Sequence, residues 1–304
     1  MQIYTIKNEK HEQIAGAACG AMAFFIWGLS PLYWKILKTV PALEVIMHRI
    51  VWSFVFLIPL IFIQGKQEEF VKIFKAPRTL LILLLTAFFI AFNWLIYIWS
   101  VNNGHVLEAS LGYYINPLVN VLLGVIFLKE HLRPLQLIAV VLASAGVLYL
   151  TLYYGKFPWV SLTLAFSFGL YGLVRKIVSV GPLTGLCIET LLLSIPAAIY
   201  LIYLKFHDSG AFLRNGVLTD VFLAGSALVT AFPLLLFILG TKRLTLSTIG
   251  FLQYIAPTCM FFLGIFVYNE PFSKIQIITF SLIWTALGIY SADSIISFKK
   301  KNVV

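Results

Sequence analysis
The chain has 304 residues, 61% of them apolar and 11% charged, with a mean hydropathy of +0.95. Soluble domains are about 45–50% apolar and about 25% charged, so these figures exclude a soluble globular protein. The net charge of +10 would suit nucleic acid only if Lys and Arg clustered on one face or in one run. Here they lie between apolar blocks, so no nucleic-acid partner is expected and the lipid bilayer is.

A bilayer core of ~30 Å needs about 20 apolar residues in helix. Ten segments qualify: 14–34, 43–63, 79–101, 106–128, 134–152, 158–176, 183–204, 218–240, 246–268 and 275–296. The polar start, 1–13, runs into a full-length span, which reads as a retained first helix rather than a cleaved signal. The longer links, 64–78 and 205–217, carry the charges or Gly of surface loops. Tyr153, Tyr154, Phe157 and Trp159 bracket the fifth link as an interfacial belt does. Cys19, Cys187 and Cys259 lie within spans, share no metal-ligand spacing and imply no disulfide.

Lys and Arg are distributed unequally between the two sides. Of the 22, Arg49 lies inside a span and six (Lys35, Lys38, Lys156, Lys205, Arg214, Lys274) fall on one side. The other fifteen, including Arg175, Lys176 and the tail triplet Lys299–Lys301, fall with the termini. The positive-inside rule then makes both termini cytoplasmic.

The stretch 110–130 (SLGYYINPLVNVLLGVIFLKE) returns 140 positions later. Tyr114, Pro117, Gly124, Glu130 and Gln136 meet Tyr254, Pro257, Gly264, Glu270 and Gln276. Near the start the offset is 141, where Phe25, Gly28 and Lys35 meet Phe166, Gly169 and Lys176. The chain is therefore read as an all-α membrane protein of ten transmembrane helices in two five-helix repeats, 1–152 and 153–304. Five is odd, so the second repeat is inverted relative to the first, a transporter architecture with its site between the halves.

The chain has no phosphate-binding loop, no nucleophile elbow, no H-E-x-x-H and no dinucleotide fingerprint. No cofactor and no enzymatic activity are expected. His11, His105, His131 and His207 fall in links or tails and read as solvated. Within the spans the ionisable groups are read as His48, Arg49, Glu108 and Glu189. A charge at bilayer depth costs at least ~2.5–3.5 kcal/mol on insertion scales, so these should face protein or water. By depth, Arg49 is better matched to Glu108 than to Glu189. His48 and Glu189 are repeat-related, on opposite sides of one expected cavity. Asn93, Asn116, Asn120, Gln253, Tyr113, Tyr114 and Tyr254 extend the polar pathway or bond helix to helix. Pro117 and Pro257 each remove a backbone hydrogen bond and predict kinks. Gly16 with Gly20, and Ala139 with Ala143, predict close helix contacts.

With these residues laid out, the sequence resembles the RarD family of EamA-type permeases, in the drug/metabolite transporter superfamily. The resemblance rests on 48–53 (HRIVWS), 93–99 (NWLIYIW) and 108–117 (EASLGYYINP). In the second half it rests on 167–176 (SFGLYGLVRK), 189–191 (ETL) and 250–258 (GFLQYIAPT). It implies a multi-pass permease of the bacterial cytoplasmic membrane, and the naming of some members links them to chloramphenicol sensitivity. The expectation is a secondary transporter exporting small metabolites or drugs by alternating access. Protons are the expected coupling ion, passing through His48 and Glu189 with Glu108 as the runner-up, and the oligomeric state is left open, a homodimer being one option. A membrane-embedded enzyme would instead need a nucleophile, metal or cofactor set. A scaffold or sensor would lack a polar central cavity.

Overall fold
The computed structural model describes residues 2–103, 105–155, 157–267 and 274–300. Glu270, Lys156 and Lys301, used in the sequence argument, lie outside them. Among the described residues every regular element is a helix. In chain order these are α1 (Gln2–Ile36), α2 (Ala42–Ile63), α3 (Gln67–Phe74), α4 (Pro77–Asn102), α5 (Val106–Leu128) and α6 (Pro134–Tyr154). Then come α7 (Trp159–Ile177), α8 (Pro182–Phe206), α9 (Val217–Arg243), α10 (Leu246–Gln253), α11 (Ile255–Phe266) and α12 (Lys274–Lys300). Ten candidate spans result, with α10 and α11 sharing one. An even number of crossings brings the start of α1 and the end of α12 to one face, called here the terminal face; the other is the distal face.

One element differs from the sequence reading, and one predicted kink becomes a break. The 64–78 link folds into α3, whose Glu68 and Glu69 fill the first turn and Lys72 the last, the charge order that suits the helix dipole. The ninth span breaks at Tyr254, because Pro257 has no N–H for the Gln253 carbonyl four residues back. The Tyr254 N–H turns instead to the Phe251 carbonyl at 3.2 Å. At the repeat-related Pro117, α5 runs through unbroken.

Helix starts follow local chemistry. Pro77, Pro134 and Pro182 stand in the first turns of α4, α6 and α8, where a missing N–H costs nothing. At the end of α5 the chain turns through a left-handed Lys129 (φ 52°), and the Glu130 N–H returns to the Gly124 carbonyl at 3.1 Å. The Glu130 carboxylate then accepts the Leu246 and Ser247 N–H groups at 2.6 and 2.9 Å. A negative side chain thus meets the orphan donors of α10. Gly124 makes room for it, since a Cβ there would lie 2.6 Å from Glu130 Oε2.

The two halves interleave. α1 packs on α9, α2 on α8 and α9, α5 on α7 and α10, and α6 on α12. Small residues set these approaches, as the sequence predicted. Gly240 lies where a Cβ would be 3.3 Å from the Gly20 Cα and 3.2 Å from the Gly16 carbonyl. Ala139 and Ala143 are fully buried against Ile283 and Ala286. Gly250 of α10 lies against α5, where a Cβ would stand 2.6 Å from the Pro117 carbonyl oxygen.

That last contact is backbone on backbone, so neither side can yield. Gly250→Ala is expected to lower stability by about 1–3 kcal/mol, the usual range for overpacking. Gly288→Ala, with nothing within 4 Å, should leave it unchanged. Thermal unfolding of the two purified variants, followed by size-exclusion chromatography, compares them.

Candidate functional site
Arg49 follows His48 on the second turn of α2, in the distal half of the bundle. Its Nε donates to Thr230 Oγ1 of α9 at 2.8 Å. Its guanidinium carbon lies 4.7 Å from the ring centre of Trp34 (α1) and 5.2 Å from that of Trp94 (α4). Cation–π contact of this kind stabilises a desolvated cation by about 0.5–2 kcal/mol. Tyr97 of α4 and Tyr113 of α5 meet edge to face with centroids 6.2 Å apart, and both phenols are within electrostatic reach of Arg49. They keep 39% and 37% of their surface exposed. Arg49, Trp34 and Trp94 are half-buried. Side chains of α1, α2, α4, α5 and α9 thus form a polar, aromatic surround for one cation.

Towards the terminal face the interior is closed. Trp27, Phe168 and Phe237 interlock with centroid spacings of 5.1–6.0 Å, and Tyr171 stacks on Phe237. Beyond them Glu189 of α8 is 1% exposed and Arg175 of α7 is 0%. Arg175 Nε lies 3.5 Å from Glu189 Oε1. Thr86 Oγ1 donates to the same oxygen at 2.5 Å and the Tyr171 hydroxyl to the other at 3.2 Å. Arg175 Nη2 also reaches the Pro182 carbonyl at 3.2 Å. Gly185 lets the guanidinium lie flat on α8, for a Cβ there would fall 2.1 Å from Nη1.

Several sequence expectations change. Arg175 was placed with the surface cations, but it is a buried partner of Glu189. Arg49 does not pair with Glu108. That carboxylate, at the start of α5, binds its own neighbour His105, with Nδ1 at 2.9 Å. His105, read as solvated, is half-buried and stacks on Trp99. His48 and Glu189 do not share an open cavity, as both are buried at opposite ends of the α2–α8 pair. His48 packs on Phe212 and lies 3.9 Å from Glu44. Glu44, passed over in the sequence although within the second span, accepts the Ala211 N–H at 2.6 Å.

The uncharged residues bond helix to helix. Asn93 donates to the Leu164 carbonyl at 2.8 Å and to Ser167 at 2.9 Å, joining α4 to α7. Asn120 donates to Gln253 at 2.8 Å and to Asn116 at 3.4 Å, joining α5 to α10. The Tyr254 hydroxyl donates to the Tyr114 carbonyl at 3.3 Å. Of the sequence candidates, Arg49 and Tyr113 belong to this surround. Thr230, Trp34 and Trp94 join them; Trp94 was visible only as part of the N-W-L-I-Y-I-W stretch.

Ten candidate apolar spans around a half-buried cation ringed by aromatic side chains describe a multi-pass membrane transporter. The EamA-like transporter family profile matches residues 14–152 and 158–292, and the chain belongs to that family. It is 48% identical over 285 residues to the uncharacterized transporter YojE of Bacillus subtilis, covering 92% of this chain and 94% of that one. It is 43% identical over 287 residues to the protein RarD of Escherichia coli, covering 94% and 97%. The chloramphenicol-sensitive protein RarD of Pseudomonas aeruginosa is 33% identical over 87% of this chain and 89% of its own. A solved crystal structure superposes with a TM-score of 0.69 at 15% identity, over 91% and 97% of the two chains, and shares the fold.

The closed end is testable by charge bookkeeping. Breaking a buried pair strands a charge and costs about 3–5 kcal/mol, whereas replacing both partners by apolar groups is often neutral. Arg175→Met is therefore expected to destabilise strongly, and Arg175→Met with Glu189→Leu to recover most of the loss. Thermal unfolding of the single and double variants in one detergent reads the difference.

Proposed function
We propose that the chain is a secondary active transporter of the bacterial cytoplasmic membrane, exporting small metabolites or drugs. In this reading two inverted five-helix repeats, 1–152 and 153–304, rock about each other and both termini are cytoplasmic. The carrying observation is the asymmetry of the interior. Arg49, Trp34, Trp94, Tyr97 and Tyr113 keep part of their surface exposed, while the Arg175–Glu189 end is fully buried. That is the arrangement of a carrier accessible from one face and sealed at the other. The Lys and Arg excess on the terminal face supports the orientation. The chloramphenicol-sensitive relative brings amphenicols into the substrate panel.

Coupling is assigned to protons, with His48 as the carrier. Glu189 already accepts hydrogen bonds from Thr86 and Tyr171 and pairs with Arg175, so a proton there would weaken that ion pair. Both ring nitrogens of His48 are buried without a hydrogen-bond partner, so the ring has an open position at which a proton can be carried.

Proteoliposome flux of amino acids, nucleosides and amphenicols, with and without an imposed pH gradient, tests the function. His48→Gln should retain substrate exchange and lose its response to the gradient; an unchanged response sinks the coupling. Orientation is tested after Cys19, Cys187 and Cys259 are replaced. An impermeant thiol reagent applied to whole cells should label Ser209→Cys and miss Glu68→Cys. The reverse pattern overturns the topology.

A further inference from the structure
We propose that the space around Arg49 takes organic monoanions, carboxylates with a flat apolar body, and discriminates against neutral and cationic analogues. The inference rests on reading that space as the substrate chamber. Its basis is a missing counter-charge. Every carboxylate among the described residues with a described side chain is engaged elsewhere. Glu189 meets Arg175, Glu108 meets His105, Asp293 meets Arg133, and Glu12 meets Arg243. Glu68 meets Lys72 and Asp208 meets Arg214. Glu44, Glu69, Glu130 and Asp220 hold backbone N–H groups. Among the described residues none forms an ion pair with Arg49, whose polar surroundings are a threonine and two phenols. A cation half-withdrawn from water on a transmembrane helix is costly. The aromatic faces offset only part of that cost, and an entering anion would offset the rest.

Geometry narrows the class. The indoles of Trp34 and Trp94 cover the guanidinium, so strong hydrogen bonds are left to its in-plane edge. The Nε position of that edge is taken by Thr230. What remains is the pair of Nη groups, a fork that matches the two oxygens of a carboxylate. One uncompensated positive charge is neutralised by one negative charge, which favours a carboxylate over a doubly charged phosphate monoester. The rings of Trp34, Trp94, Tyr97 and Tyr113 supply apolar walls on which a planar substrate body can stack.

The test uses three compounds of one shape: phenylacetate, phenylacetamide and phenethylammonium. Each is titrated into the full-length protein in nanodiscs while tryptophan emission is followed. Phenylacetate is expected to bind saturably and at least about tenfold more tightly than the other two. Arg49→Gln should weaken phenylacetate by about thirtyfold or more, as loss of a desolvated charge partner implies, and leave the amide unchanged. Arg49→Lys, which keeps the charge and loses the fork, should fall between. It also serves if the Gln variant does not fold. Equal affinities for the three compounds, all weakened by Trp34→Ala, would keep the chamber and overturn the anion assignment. Phenylacetate binding unaffected by Arg49→Gln, Arg49→Lys and Trp34→Ala would overturn both. Lack of any phenylacetate response in the wild-type protein overturns the anion assignment, and transport that survives Trp34→Ala then removes the chamber as well.

Discussion
A charge inside an apolar bundle has to meet a partner, and this protein treats its two deepest arginines in opposite ways. Arg175 is fully buried and answered by Glu189, with Thr86 and Tyr171 filling the remaining acceptor capacity of the carboxylate. Arg49 is covered by Trp34 and Trp94 and held by Thr230, with no acid beside it among the described residues. The first arrangement balances its charge away from solvent, although Arg175 Nε and Nη1 make no hydrogen bond. The second lacks a counter-charge. α2 and α8, which carry Arg49 and Glu189, pack on each other, so the two arginine environments share one helix pair.

The neutral amides and the glycines keep that framework rigid. Asn93 and Asn120 spend their donors across helix interfaces, where lipid offers no competing partner. Gly240 and Gly250 bring backbones close enough that a methyl group would meet main-chain atoms. The α10–α11 break at Tyr254 lies directly beside this tight region, so a bend is placed where a neighbour can satisfy the freed groups. A similar economy holds at helix ends. Glu130 serves α10, and Glu44 and Glu69 secure the Ala211 and Gly181 N–H groups. Each is a carboxylate from one half meeting backbone donors of the other.

The carboxylates show how far one sequence can be read. Glu189 stood out because it lies seven residues into a span, too far for a short side chain to reach water. Arg175 did not stand out. A basic residue in the last turn of a span normally reaches the interface, and one sequence does not reveal that Gly185 on another helix provides a bed for it. Glu44 escaped notice for the same reason, as an acid in a helix's first turn is ordinary, and only the approach of the 211–212 backbone makes it a cross-link. The pairing of Arg49 with Glu108 failed because depth is one coordinate, whereas contact also needs matching rotation about each helix axis.

Apolar segment length determined the ten spans, since a bilayer of fixed thickness admits a narrow range of helix lengths. The repeat at an offset of 140–141 also belongs to the sequence alone, because shared Tyr, Pro, Gly and Glu are improbable in so apolar a chain. Pro257 announced a disturbed helix, for its missing donor is a covalent fact. Only the tertiary structure decided which charges pair, that Arg49 faces aromatic rings rather than an acid, and that Asn93 and Asn120 serve packing rather than solvation. Those outcomes depend on which helix faces meet, a relation among residues up to 231 positions apart that short-range periodicity does not encode.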